Sequence, residues 1–304
     1  MKSATLIYNP VAGRNPIRRE REIGEITATL QASGVQCVAA RTTASGTATE
    51  LARSAAASGR DLIIACGGDG TINEVVNGIA LGQTPLAILP GGTANIITNE
   101  LGVRRGPVRA ARQLSSWTPR RIALGCATGN ALSEGIPPDR MRRYFLGVAG
   151  VGFDAYVIKK LTFNFKMSLG VAAYVVEGVR QLMRYSFPNL SCRIDGRHAE
   201  ASFVLIQRTS RYAGNFRTAP RQALVNSHFG ISLFTHRGRL DYVRYALALI
   251  TGWRLRDVTY LETTRADFDA EPEARVYFEL DGELAGTLPA TFEVIPDALT
   301  LLMP

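Results

Sequence analysis

The stretch from Asp61 to Gly82, DLIIACGGDGTINEVVNGIALG, constrains the fold more than any other part of the chain, because a strand, a glycine turn and a helix follow one another without a spacer. Leu62 to Cys66 is a short apolar run of the kind that forms a buried parallel strand, and Ile72, Val75, Val76 and Ile79 recur at helical spacing. Between them lies Gly67-Gly68-Asp69-Gly70-Thr71. Glycines allow close approach to the backbone, and free amides at a helix N-terminus favour an anion, so this turn suits a phosphate. Thr71 and Glu74 also have the spacing of a capping box, in which case the turn would only start a helix. That alternative leaves Gly67, Gly68 and Gly70 unexplained. The turn is neither a Walker A loop nor a dinucleotide fingerprint, so a phosphate here would be held mainly by backbone.

The residues before it build toward the same sheet. Ala4 to Tyr8 reads as a first strand and Asn9-Pro10-Val11-Ala12-Gly13-Arg14 as a turn. A helix follows from near Pro16, with Ile17, Ile23, Ile26 and Leu30 on its buried face and Arg18, Arg19 and Arg21 toward solvent. Val35 to Ala40 is a second strand and Thr47 to Ser58 a helix of small residues, so the pattern through Gly82 is βαβαβ and implies a parallel sheet. Leu86 to Leu89 adds a strand, after which Pro90-Gly91-Gly92-Thr93 repeats the glycine turn before a helix carrying Ile96, Ile97 and Leu101. Two such turns on neighbouring strands can flank one nucleotide.

The formal net charge of +9 favours anionic partners: nucleic acid, acidic lipid or nucleotide phosphate. The arginines are dispersed and no nucleic-acid motif is present, so nucleic acid is not expected. Cys37, Cys66, Cys126 and Cys192 are scattered, which argues against disulfides or a thiolate metal site and for a reducing cytoplasm. The N-terminal apolar run is too short for a signal peptide, and charges interrupt every long apolar stretch.

After Trp117 the composition turns β-rich, with strands expected at Arg121 to Leu124, Tyr144 to Val148, Leu190 to Ile194, Ser202 to Gln207, Gly230 to Phe234, Thr259 to Thr263 and Val276 to Leu280. Asn130 to Arg143 reads as a polar loop, and Asp195-Gly196 as the turn of a hairpin joining Leu190 to Ile194 with His198 to Gln207. The expected fold is therefore α/β plus β. A parallel α/β domain, 1–121 with 293–304, would bind the nucleotide, and a mainly antiparallel β domain, 122–292, would bind substrate, with the active site in the cleft between them. Two helices interrupt the β domain, Val171 to Met183 and Leu240 to Leu255. The second carries Leu240, Val243, Leu247, Ile250 and Trp253 among Arg239, Arg244, Arg254 and Arg256, a pattern that can lie on a membrane. The simpler expectation is that its apolar residues pack on its own domain.

Taken alone, Asp281-Gly282 is a turn signal and Glu283 a solvated residue, and His198, His228 and His236 lie in no catalytic pattern. Taken together, Asn9-Pro10 with Gly13, Gly67 to Glu74, Gly91 to Asn95, Gly147 to Asp154 and Asp281-Gly282-Glu283, in this order, resemble the diacylglycerol kinase catalytic-domain family, which includes bacterial soluble lipid kinases and sphingosine kinases. The resemblance spans nearly the whole chain and implies an ATP- and Mg²⁺-dependent lipid kinase. It implies nucleotide contacts from Asn9, Thr43, Gly67, Gly68, Gly70, Thr71, Glu74, Gly91, Gly92, Thr93 and Asn95. It also implies Mg²⁺ near Asp69 and Asp154, and Glu283 or Asp69 as acceptor of the hydroxyl proton. The expected setting is a cytoplasmic enzyme at the inner face of the membrane meeting a lipid such as diacylglycerol, with a homodimer left open. Two positions depart from the family pattern: Ile96 stands where an Asp is usual, and Asn226-Ser227 stands where an acid of a structural cation site would be, so no ligand of that site is carried over. Competing readings are an NAD-kinase-like enzyme, which shares Gly-Gly-Asp-Gly-Thr, and an inactive lipid-binding relative.

Overall fold

β1 (Ser3–Tyr8) pairs in parallel with both β2 (Gln36–Arg41) and β3 (Leu62–Gly67), and β3 pairs in turn with β4 (Leu86–Pro90). The computed structural model describes residues 1–13, 16–103, 106–132, 142–160, 171–212, 216–217, 219, 222–251 and 257–304. The chain divides into two units, Met1–Leu124 with Pro296–Pro304, and Gly125–Ile295. In the first, the chain's last residues return as a parallel strand beside β4, with Leu301 opposite Leu86. Every residue of β3 is buried, as a parallel strand covered on both faces requires. α1 (Pro16–Ala32), α2 (Thr47–Ala57) and α3 (Asp69–Ile79) are the crossovers, and α4 (Ile96–Glu100) and α5 (Pro107–Ala111) follow β4.

The strand order has a consequence for ligands. The chain leaves β1 to form β2 on one side and returns to form β3 on the other, so β1 and β3 flank a switch point. In open α/β sheets the crevice beyond the carboxyl ends of such strands is where ligands bind. Asn9 donates its backbone N–H to the Cys66 carbonyl at 3.3 Å, which ties the two strand ends together there.

α1 corrects the expected face. Ile23, Ile26 and Leu30 are buried, but Ile17 is 85% exposed and Arg19 is only 7% exposed. The buried set 19, 23, 26 and 30 advances in steps of four, three and four residues, which holds one helical face, whereas Ile17 falls off it.

The second unit is antiparallel. After β5 (Thr118–Ala131), which carries the chain into it, come β6 (Arg142–Phe145) and β7 (Val148–Val151), so the single strand expected at Tyr144 to Val148 is two. β8 (Leu190–Ile194) and β9 (Arg197–Ala201) form the expected hairpin, with Ile194 opposite Arg197 and positive φ at both Asp195 and Gly196. The hairpin's second arm ends at Ala201, however, and β10 (Phe203–Gln207) pairs instead with β7 and β13 (Phe229–Phe234). Ser202 sits at the break, donating its backbone N–H to the Phe234 carbonyl and its hydroxyl to the His236 carbonyl. β11 (Arg211–Tyr212) and β12 (Phe216–Arg217) form a separate small ribbon, and β14 (Val258–Thr263) extends the sheet beyond β13. β15 (Arg265–Ala270) escaped sequence reasoning because its buried Ala266 and Phe268 alternate with charged residues. β16 (Tyr277–Leu280) turns into β17 (Glu283–Met303), whose length exceeds the tail strand expected from Glu293.

The core of this unit is aromatic. Phe292 meets Phe145, Phe268 and Phe278 edge to face at centroid distances of 5.4 to 6.3 Å, the favoured arrangement of ring pairs. Among the described residues, three helices belong to this unit: α6 (Phe153–Lys160), α7 (Val171–Leu182) and α8 (Arg239–Thr251). α8 does pack on its own unit, but by the unexpected side: Tyr242, Tyr245 and Ala248 are buried while Leu240, Val243 and Leu247 are exposed. Most of the loop expected at Asn130 to Arg143, together with Pro220 and Trp253, Arg254 and Arg256, lies outside the described residues.

Candidate active site

The first unit gathers the glycine turns at its switch point. α3 begins at Asp69, with Gly68 as N-cap and no capping side chain, so Thr71 lies inside the helix and the capping-box alternative fails. Thr71 is instead buried beneath Gly67, where a Cβ would stand 2.6 Å from the Thr71 Cβ. The second turn presses on the first: a Cβ on Gly91 would lie 2.6 Å from the Gly67 N, and one on Gly92 would run into the Gly68 Cα. At Gly68 itself a Cβ would meet nothing closer than the Gly92 Cα at 3.6 Å. The glycines at 91 and 92 therefore exist for contact between the two turns, and Gly68 is the one with room above it.

Neighbouring polar groups hold these turns in shape. Asn95, at φ 50°, accepts from the Gly92 N–H at 2.8 Å and donates back to the Gly92 carbonyl at 2.9 Å, so its amide shapes the second turn. An Asp69 oxygen accepts from the Ile97 N–H at 3.4 Å, linking α3 to α4. Arg19, expected at the surface, reaches from α1 to the Ala12 and Gly91 carbonyls and the Cys66 sulfur. Burial pushes the Cys66 thiol up to about 11, with Arg19 opposing, so this sulfur stays neutral. Asn9 uses its side-chain oxygen on the Val11 N–H at 3.0 Å, an Asx turn that bends the chain over the end of β1.

Three residues named for the nucleotide stand differently. Thr43 and Thr93 are exposed. Glu74 accepts from the backbone N–H of Gly46 at 2.8 Å and of Ala48 at 3.0 Å, which supplies α2 with the cap its own N-cap glycine lacks. Both its oxygens are engaged, which gives Glu74 a helix-capping role.

The second unit gathers carboxylates around the β16–β17 turn. Asp281 accepts from the backbone N–H groups of Leu146, Gly147 and Val148 at 2.8 to 3.0 Å, which fixes the loop between β6 and β7. Glu279 is 2% exposed and accepts from the Gly282 N–H at 2.6 Å. Burial, with the negative charges of Asp154, Asp281 and Glu283 adding to it, raises Glu279 well above the ordinary carboxylate range. Asp154 is 2% exposed in the first turn of α6, packed where a Cβ on Gly150 would otherwise sit. Glu283, at the start of β17, keeps partial access to solvent. Glu279 was missed in the sequence because it lies mid-strand, where period alone marks it only as inward-facing. Arg208, in the region that departs from the family pattern, is fully buried and donates to the Leu224 carbonyl at 3.0 Å. Burial lowers its pKa to about 10, and the Asp281 carboxylate opposes that shift.

Asp69 belongs to the first unit and Asp154 to the second. Among the described residues no group of three or more His, Cys, Asp or Glu side chains is placed to hold a metal.

Two family descriptions match in order along the chain: the diacylglycerol kinase catalytic domain over residues 3–127, and the YegS C-terminal NAD kinase beta sandwich-like domain over residues 147–303. The chain is 29% identical to a diacylglycerol kinase of Bacillus subtilis (strain 168), over 100% of this chain and 97% of that one. It is 26% identical to a diacylglycerol kinase of Staphylococcus haemolyticus (strain JCSC1435), over 96% and 85% respectively. A crystal structure described as a diacylglycerol kinase from Bacillus anthracis str. Sterne superposes with a TM-score of 0.76 at 24% identity, covering 100% and 97% of the two chains, and speaks for the fold alone. The chain belongs to the diacylglycerol kinase catalytic-domain family and is a kinase.

Proposed function

We propose that the protein transfers the γ-phosphoryl group of ATP to a hydroxyl of diacylglycerol or a lipid like it, at the membrane surface. The observation that carries this reading is the pair of interlocked glycine turns at the switch point of the parallel sheet. Phosphate there would meet the N-terminus of α3, with Gly68 offering no side chain to keep it away. Mg²⁺, when bound with the nucleotide, would offset the charge that develops on the phosphate oxygens. Asp69 would orient its water ligands. In the second unit Glu283, which keeps access to solvent, would accept the hydroxyl proton, whereas Glu279 is buried.

Incubation with labelled ATP, Mg²⁺ and a panel of dispersed lipids, with NAD as control, tests the substrate class. Label is expected in a lipid bearing a free hydroxyl; label in NAD and in no lipid would overturn the proposal.

The glycine turns give a sharper test of the nucleotide site. Gly92→Ala should destabilise the fold by about 1–3 kcal/mol, the usual cost of forcing atoms into a filled space, read as an earlier denaturant midpoint. Gly68→Ala should keep wild-type stability and lose ATP affinity at least tenfold in calorimetry, because its Cβ disturbs no protein atom. Unchanged ATP affinity in folded Gly68→Ala would remove this turn from the site.

A further inference from the structure

α7 and α8 are inside out. Each buries part of its surface in an aromatic cluster, where Leu182, Tyr185, Phe187, Tyr242 and Tyr245 pack together, and Phe187 and Tyr242 lie 4.5 Å apart between ring centroids. Tyr242 and Tyr245 thus line the protein side of α8, and Glu177, Gln181 and Leu182 that of α7, while Val176, Val179 and Met183 on the first segment and Leu240, Val243 and Leu247 on the second face outward. Both outward sets run i, i+3, i+7, one stripe per helix. The two segments are joined at their ends, since the Arg239 guanidinium donates to the Met183 carbonyl at 3.3 Å. Burying the polar-tipped rings and exposing the aliphatic chains is the reverse of what water favours.

The charges around the stripes choose the occupant. Of the residues exposed between Val176 and Arg184 and between Arg239 and Ala248, three are arginines, Arg180, Arg184 and Arg239, and none is acidic. The acids of these segments are withdrawn: Glu177 is 6% exposed and Asp241 half-buried. An aliphatic stripe bordered by arginines and cleared of carboxylates fits the boundary between acyl chains and anionic headgroups, whereas an aqueous protein partner would give no reason to clear only one sign.

We infer that the joined outer face of α7 and α8 is the surface by which the protein docks on an anionic lipid bilayer, an inference that rests on the reading of the enzyme as a lipid kinase acting at a membrane. The stripes enter the headgroup boundary and Arg180, Arg184 and Arg239 meet lipid phosphates. The tyrosine-lined side stays with the sheet.

Sedimentation with vesicles of phosphatidylcholine alone and of phosphatidylcholine with phosphatidylglycerol tests it on the full chain. Wild type should bind the anionic vesicles and lose binding as salt is raised. Leu240→Ser with Leu247→Ser should weaken that binding at least tenfold, and Arg180→Gln with Arg184→Gln should flatten the salt dependence. Both should keep wild-type stability and ATP affinity, because all four positions are exposed. Activity on a short-chain diacylglycerol below its aggregation limit should be unchanged, while activity on vesicle-borne substrate falls. Equal vesicle binding by wild type and the leucine variant overturns the inference. So does a wild-type dimer that the leucine variant splits, which would make the face a self-interface. Vesicle binding lost in the variant, with no lipid phosphorylated by wild type, would leave the docking face standing and sink the kinase reading instead.

Discussion

Glu283→Gln is expected to fold as wild type does, to bind ATP unchanged, and to turn over about 10² to 10⁴ times more slowly, the usual worth of a positioned general base. Its place explains both halves of that expectation. Glu283 starts β17 at the edge of a buried carboxylate group and keeps partial solvent access, so the amide costs the fold little. The neighbouring acids are placed for other work: Asp281 is committed to backbone amides, and Glu279 is buried and accepts from the Gly282 N–H. Asp69 is the remaining rival, and kinetics separate the two. Glu283→Gln should erase the acidic limb of the kcat profile, whereas Asp69→Asn should mainly raise the Mg²⁺ concentration needed for turnover. The reverse pattern would move the proton to Asp69.

Asp281→Ala should instead damage the molecule before the chemistry, lowering stability by about 3 kcal/mol or more in denaturant unfolding. Three backbone N–H groups, of Leu146, Gly147 and Val148, would lose the carboxylate that accepts from them, and charge-assisted bonds of this kind are the stronger sort. The fully buried Arg208 would lose the nearby negative charge that opposes its loss of a proton. The adjacent acids of Asp281-Gly282-Glu283 are therefore expected to fail in different ways, one as a fold defect and one as a rate defect. A stable Asp281→Ala protein would show that the amides find water or another acceptor.

The first unit was legible in the sequence because its signals are local. The strand, turn and helix from Leu62 to Ile79 stand as periodicity and glycine spacing predict, and the parallel fold class follows from the alternation. The errors came where one residue's partner lies far along the chain. Arg19 looks like a surface charge until its reach to Gly91 is known, yet its 4-3-4 spacing with Ile23, Ile26 and Leu30 was there to be read. Glu74 has capping-box spacing to Thr71 and in fact caps a different helix. In the second unit the aromatic strands were visible, but β15 was hidden by its charges and the split at Ser202 depends on which strand each half pairs with. Of the site, the carboxylates at 154, 281 and 283 were legible by resemblance, while the division of labour among them follows from burial, which spacing does not encode.

Glu74 also bears on how many anions this end of the sheet can hold. α2 and α3 both begin near the crevice, and the start of a helix is a place where an anion gathers. On α2 the place is taken permanently, because Glu74 keeps both oxygens on the amides of Gly46 and Ala48. The protein thus carries its own anion, tethered at the start of α2, which leaves the start of α3 as the place that the proposed phosphate would take.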